Sequence, residues 1–126
     1  MKLPTQSRIV VVGGGAIGTS IAYHLAKSGE KEVLLLEKTQ LTEGSTWHAA
    51  GLIGQMRGHK NLTKMMMQSV KVISNLKQEL DAATDFKQVG SLRIANNKER
   101  YLEMKRQAGQ AKGFGLEMNL ISPKEA

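Results

Sequence analysis

The feature that most constrains this chain is Gly13-Gly14-Gly15-Ala16-Ile17-Gly18, set between two stretches of different periodicity. Before it, Arg8-Ile9-Val10-Val11-Val12 is short, apolar and β-branched, the pattern of a strand buried in a parallel sheet. After it, Ile17, Ile21 and Leu25 recur from Ala16 to Lys27 with Ala22 and Ala26 alongside, which predicts a helix with that stripe facing the core. Gly29 stands just beyond, where a left-handed residue ends a helix. Glu32–Glu37 predicts a second buried strand. Strand, helix and strand within about 30 residues make a βαβ unit, with a right-handed crossover. Two strands are too few for a doubly wound sheet. The expected class is therefore α/β: a Rossmann-like βαβ unit, the incomplete N-terminal part of a larger domain that takes in residues 1–126.

Beyond the unit, Thr39 to Gly58 is rich in Gly, Ser and Thr and predicts a long functional loop. Asn61 to Leu80 predicts the longest helix. Leu62, Met66, Ile73, Leu76 and Leu80 form its stripe, Met65, Val70 and Val72 widen it, and the Met65-Met66-Met67 run reads as adaptable core. Phe86–Val89 and Leu92–Ala95 flank Gly90-Ser91 as a hairpin would. Asn97 to Lys112 predicts a charged amphipathic helix with Tyr101, Met104, Ala108 and Ala111 inward, and Leu116–Ile121 a further strand. Ser122-Pro123-Lys124-Glu125 has the form of a capping box opening another helix. A chain that stops at Ala126 reads as a truncated piece.

Composition removes several classes of function. With no cysteine, a disulfide scaffold, a Cys-zinc site and a thiol nucleophile are out. The net charge of +7 invites a nucleic-acid reading, yet Lys and Arg are scattered and aromatic residues make up only 4%, so stacking platforms are scarce. No apolar run approaches the roughly 18 residues of a membrane span. The first residues, Met1 to Ser7, show no export or organelle address, and the expectation is cytoplasmic. His24, His48 and His59 lack metal-site spacing. His24 reads as packed or exposed, and His59 with Arg57 as surface charge that could reach a substrate carboxylate. No G-x-S-x-G elbow and no Walker lysine are present.

The glycine run contains G-x-G-x-x-G between a strand and a helix. Gly13 permits the tight turn, Gly15 lets backbone approach a pyrophosphate, and Gly18 lets the helix pack on the strand. The N–H groups and partial positive charge of the helix start favour phosphate. Glu37 ends the next strand about 20 residues on, where it accepts from a ribose hydroxyl and disfavours a 2′-phosphate. These residues predict dinucleotide binding without separating NAD from FAD.

Leu41-Thr-Glu-Gly-Ser-Thr-Trp-His-Ala-Ala-Gly-Leu52 resembles the flavin-contacting loop of the sarcosine and dimethylglycine dehydrogenase family, whose members oxidise N-methylated glycines. The similarity continues through the long helix, Gly90–Ala95 and Ile121-Ser122-Pro123, and is somewhat closer to the sarcosine branch from Gly90 to Pro123. The resemblance implies FAD as cofactor, with His48 bonded to its 8α-methyl. Gly44, Ser45 and Thr46 would lie against the cofactor, while Ala49, Ala50 and Gly51 leave room for its rings. It also implies hydride transfer from the N-methyl carbon to flavin, leaving an imine for water or tetrahydrofolate. The folate-binding C-terminal domain of the family has no counterpart in these residues.

The candidate cofactor-binding residues are thus Gly13, Gly15, Ala16, Ile17, Gly18, Glu37 and Lys38. By the resemblance, Gly44, Ser45, Thr46, Trp47, His48, Ala49, Ala50, Gly51 and Leu52 join them. No catalytic or metal residue is assigned. The expected partner is a small N-methylated amino acid, with an electron acceptor the sequence does not name. Rival readings are a glycine or D-amino-acid oxidase-like enzyme with noncovalent FAD, an NAD-dependent dehydrogenase, and a non-catalytic dinucleotide-binding module.

Overall fold

The computed structural model describes residues 4–81 and 84–126, so the Met1–Leu3 part of the leader reading lies outside the described residues. The chain divides into two compact units, Met1–Leu52 and Ile53–Ala126.

The first unit is built as expected. β1 (Ile9–Val12), α1 (Ala16–Lys27) and β2 (Val33–Leu36) follow in order. The strands pair in parallel, Ile9 opposite Val33 through Val12 opposite Leu36. The Gly13 N–H donates to the Leu36 carbonyl at 2.8 Å, which carries the pairing one residue into the turn. Val11 is buried, while Val10 and Val12, on the other face, are 50% and 82% exposed. The sheet is therefore apolar on both faces, as parallel strands usually are, and this unit covers only one.

α1 departs from the sequence reading in its rotation. Its inward line is Gly18, Ala22 and Leu25, whereas Ile17 and Ile21 are 78% and 47% exposed. The cause is Gly18, the only inner position without a side chain and the point where the helix meets the strand. A Cβ there would overlap the Gly13 carbonyl oxygen and lie 3.6 Å from Val11 Cγ1. Seating Gly18 against β1 turns the neighbouring isoleucines outward. The helix ends in a Schellman motif. Gly29 has φ of 89°, its N–H donates to the Ala26 carbonyl at 3.0 Å, and Glu30 donates to Leu25 at 3.1 Å.

The second unit holds α2 (Lys60–Leu80) and α3 (Lys98–Phe114), which pack against each other. Thr63 and Val70 are buried on α2, and Met104 and Ala111, two turns apart, on α3. Met66, Met67, Ile73 and Leu76 are half-buried, but Leu62, Met65 and Leu80 stay about half exposed. The Asn97 side chain caps α3 by accepting from the Arg100 N–H at 2.8 Å, a bond worth about 1 kcal/mol.

Two expectations fail here. Phe86–Val89 and Leu92–Ala95 form no hairpin, and Leu116–Ile121 forms no strand. Val89, Leu92 and Ile94 are 85%, 66% and 85% exposed, so no packed face holds them in register. An isolated two-stranded ribbon is marginal without such packing. The Ser122–Glu125 box closes as one turn: the Ser122 N–H donates to Glu125 Oε2 at 2.7 Å, and the Glu125 N–H to the Ser122 carbonyl at 3.0 Å.

Glycines on α1 and α3 give opposite expectations. Gly18→Ala forces a methyl into the Gly13 carbonyl and should lower stability by about 2–3 kcal/mol. Gly109, on α3, has nothing within 4 Å of its missing Cβ. Gly109→Ala should raise stability by about 0.5–1 kcal/mol through helix propensity alone. Denaturant unfolding followed by circular dichroism reads both shifts.

Candidate cofactor-binding site

The site forms where β1 ends and α1 begins. Gly13 has φ of 104°, a left-handed conformation costly for any residue with a Cβ, and it turns the chain sharply into α1. Gly15 is the N-cap of the helix, in extended conformation and with no side chain to offer. The first helical N–H, that of Ala16, donates instead to Thr46 Oγ1 at 2.9 Å. A loop residue thirty positions along thus caps the helix. Gly15 is shaped by the same contact, since a Cβ on it would stand 3.0 Å from that hydroxyl. The N–H groups of Gly15 and Ile17 have no acceptor among the described residues. They lie at the positive end of the helix dipole, an arrangement suited to phosphate oxygens.

Glu37, at the end of β2, does more than the sequence suggested. Its Oε2 accepts from the Gly14 N–H at 2.7 Å, and its Oε1 from Lys38 at 2.7 Å and Thr39 at 3.2 Å. A carboxylate offers about four acceptor directions, so one remains for a ribose hydroxyl. Lys38 contributes its backbone N–H and its charge, with its side chain exposed. Gly14, an unspecified position in the fingerprint, is also restricted. A Cβ there would lie 2.5 Å from Leu41 Cδ2 and 3.1 Å from Glu37 Cβ. The only sequence signal for this was the unbroken run of three glycines.

The loop from Thr39 lies over the turn as a series of tight bends from Leu41 to His48. The Thr42 N–H donates to the Gly14 carbonyl at 3.0 Å, and Trp47 N–H donates back to Thr42 at 3.0 Å. Thr42 holds φ of 70°, a strained conformation for a β-branched residue. His48 Nδ1 lies 3.1 Å from the Gly44 carbonyl oxygen. A carbonyl only accepts, so this contact selects the tautomer with the proton on Nδ1, in which the lone pair lies on Nε2.

The structure therefore brings Gly13, Gly15, Ala16, Gly18, Glu37, Lys38 and Thr46 together. Gly44 enters through its bond with His48. Ile17 contributes backbone alone. Ser45, Trp47, Ala49, Ala50, Gly51 and Leu52 are exposed and make no hydrogen bond to the turn, Trp47 and Leu52 at 78% and 88%. The other histidines have structural roles. His24 meets the Tyr23 ring edge-on at 4.9 Å, and His59 caps α2 by accepting from the Asn61 N–H at 3.3 Å. No group of metal-ligating side chains is gathered among the described residues.

Three backbone donors, Gly14 first, then Thr39 and Lys38, together with the Lys38 charge, hold the Glu37 carboxyl below its ordinary value. A lowered folded-state value means that ionised Glu37 stabilises the unit above the unfolded value of 4.5, and that this stabilisation is lost as pH falls through the folded value. Glu37→Gln should therefore lower the thermal midpoint at neutral pH. The gap from the parent chain should stay constant down to the unfolded value and close at lower pH. A gap that widens on acidification would refute the assignment.

Comparison with known proteins agrees with this geometry. The family described as FAD dependent oxidoreductase (DAO) matches residues 8–126. Dimethylglycine dehydrogenase, mitochondrial, of Rattus norvegicus is 42% identical over 120 residues, covering 95% of this chain and 14% of that protein. Sarcosine dehydrogenase, mitochondrial, of Homo sapiens is 40% identical over 124 residues, 98% of this chain and 14% of that protein. The chain thus spans about 14% of the length of these relatives. The crystal structure of L-proline dehydrogenase from P. horikoshii superposes with a TM-score of 0.88 at 35% identity, covering 98% of this chain and 32% of that one. No helix among the described residues is long and apolar enough to cross a membrane. With the glycine turn, its acidic partner and the capping loop all in place, the chain belongs to the FAD dependent oxidoreductase (DAO) family.

Proposed function

We propose that this chain is the flavin-binding N-terminal part of an amine oxidoreductase that oxidises the N-methyl group of sarcosine or dimethylglycine. The observation that carries the reading is the bond from the Ala16 N–H to Thr46 Oγ1. It fastens the loop that resembles the dehydrogenases onto the turn that resembles every dinucleotide site, so one surface presents both. The identities of 42% and 40% to dehydrogenases named for those two substrates support the substrate class.

FAD, when bound, supplies the two-electron acceptor for the hydride that leaves the N-methyl carbon. The residues of this chain hold and orient it. The free N–H groups of Gly15 and Ile17 would take the pyrophosphate, and the remaining acceptor direction of Glu37 would take a ribose hydroxyl. Gly44, Ser45 and Thr46 supply small polar surface, and Ala49, Ala50 and Gly51 leave space. His48 belongs to the same proposal as the point of covalent attachment. Its Nδ1 is fixed as a donor by Gly44, which leaves Nε2 as the ring atom that can bond to carbon. The imine product is captured by water or, in a longer protein, by tetrahydrofolate. The cysteine-free composition is compatible with a cytoplasmic location, and the mitochondrial names of the relatives supply the alternative.

The test uses the intact protein that contains this chain. A denaturing gel under ultraviolet light should show a fluorescent band, lost in His48→Ala while the native protein still absorbs as a flavoprotein. Sarcosine or dimethylglycine added without air should bleach that absorption. Flavin absorption with no fluorescent band in the parent protein would move the reading to a noncovalent oxidase of the glycine oxidase kind. A colourless protein would end it.

A further inference from the structure

We propose that Arg57, Arg93 and Arg106 form a binding site for a doubly charged tetrahedral oxyanion, a phosphate group. These three arginines line a half-open hollow of about 210 Å³ that lies wholly within residues 53–126, with Gln107 and Gln110 on the same wall and no acidic side chain among the lining residues.

The arrangement is organised around the cations. Thr63, completely buried in the first turn of α2, uses its hydroxyl on the backbone of Arg57 alone: it accepts from the Arg57 N–H at 3.0 Å and donates to the Arg57 carbonyl at 3.1 Å. The Arg57 backbone is thus held on both sides by the least exposed polar side chain described, while its guanidinium remains exposed. One nitrogen of its guanidinium donates to the Met56 carbonyl at 3.0 Å. Arg93 Nη1 donates to Gln107 Oε1 at 2.9 Å, and Gln107 Nε2 donates onward to Glu103 Oε1 at 2.9 Å. The other oxygen of Glu103 is paired with Arg100 at 2.6 Å. Both oxygens of the Glu103 carboxylate are therefore engaged, and the Gln107 amide stands between it and Arg93. Arg106 has no acceptor among the described residues.

Charge and size select the ligand. Three like charges about one small space repel unless an anion lies between them. A monocarboxylate would leave two of the charges uncompensated, whereas a phosphate dianion offers oxygens in several directions and matches planar guanidinium donors. The hollow is smaller than the roughly 300 Å³ at which drug-sized pockets begin, so it suits the phosphate itself rather than a whole nucleotide. Free inorganic phosphate and the phosphate group of a larger ester share this chemistry.

The test is titration of the intact protein that contains this chain with inorganic phosphate at constant ionic strength, followed by calorimetry. Saturable binding is expected, weakened about tenfold for each of Arg93→Gln and Arg106→Gln, the scale of one lost charge-assisted bond. Circular dichroism should be unchanged in both variants. Thr63→Val should weaken binding and Thr63→Ser restore it. Arg8→Gln makes the same charge change in the other unit and should have no effect. Ribose 5-phosphate binding at least as well as phosphate identifies an ester as the source, and binding of inorganic phosphate alone identifies the free anion. The proposal is overturned if Arg8→Gln weakens binding equally, if acetate binds as well as phosphate, or if FAD displaces the phosphate.

Discussion

The passage of Gly18 against the Gly13 carbonyl sets the geometry of the whole first unit. A helix can come this close to the end of a strand only where it has no side chain. Once Gly18 occupies that place the helix has no freedom left in rotation or height. Its inner line becomes Gly18, Ala22 and Leu25, and its first N–H groups arrive beside the carboxyl ends of β1 and β2. That edge is where Glu37 leaves β2 and where the following loop returns. The packing contact and the candidate site are therefore one constraint seen from two sides, and a methyl group at Gly18 would disturb both.

Around that contact the charges are arranged in sequence. The start of α1 is electropositive, and no acidic residue lies in its first turn. Glu37 comes near but is held by the Gly14, Lys38 and Thr39 N–H groups, which leaves the N–H groups of Gly15 and Ile17 open. Thr46 closes the Ala16 donor with a neutral hydroxyl, so it caps the helix without cancelling its field. The strained φ of Thr42 sits in this loop, at the residue whose N–H binds the Gly14 carbonyl. Strain at such a point is tolerated when the surrounding bonds fix the backbone, and it is commonest at binding sites.

How much of this could be read from sequence depended on the range of the interaction. β1, α1, β2, α2 and α3 were legible because periodicity, glycines and caps are local signals. The glycine roles at Gly13 and Gly18 were legible because they follow from steric limits on adjacent backbone. The outward rotation of Ile17 and Ile21 was not, because a hydrophobic stripe gives a helix a preferred face while one close contact can override it. Nor were the two uses of Thr46 and the restriction on Gly14. Each is made by a residue more than twenty positions away, and nothing at the position itself announces it.

The segments that failed as strands carry the complementary lesson. Leu92 and Ile94 have the alternation of a strand, and Val10 and Val12 lie in one, yet all four are substantially exposed. A helix satisfies its backbone internally, so α2 and α3 form from their own sequence. A strand needs a neighbour for its N–H and C=O groups and a layer over its side chains. β1 and β2 meet the first need through each other and only half of the second. Phe86–Ala95 and Leu116–Ile121 meet neither among the described residues. In relatives of which this chain covers about 14%, most of the polypeptide lies outside the stretch compared. Apolar alternation at these positions records a demand for partners, and it becomes secondary structure only where partners are supplied.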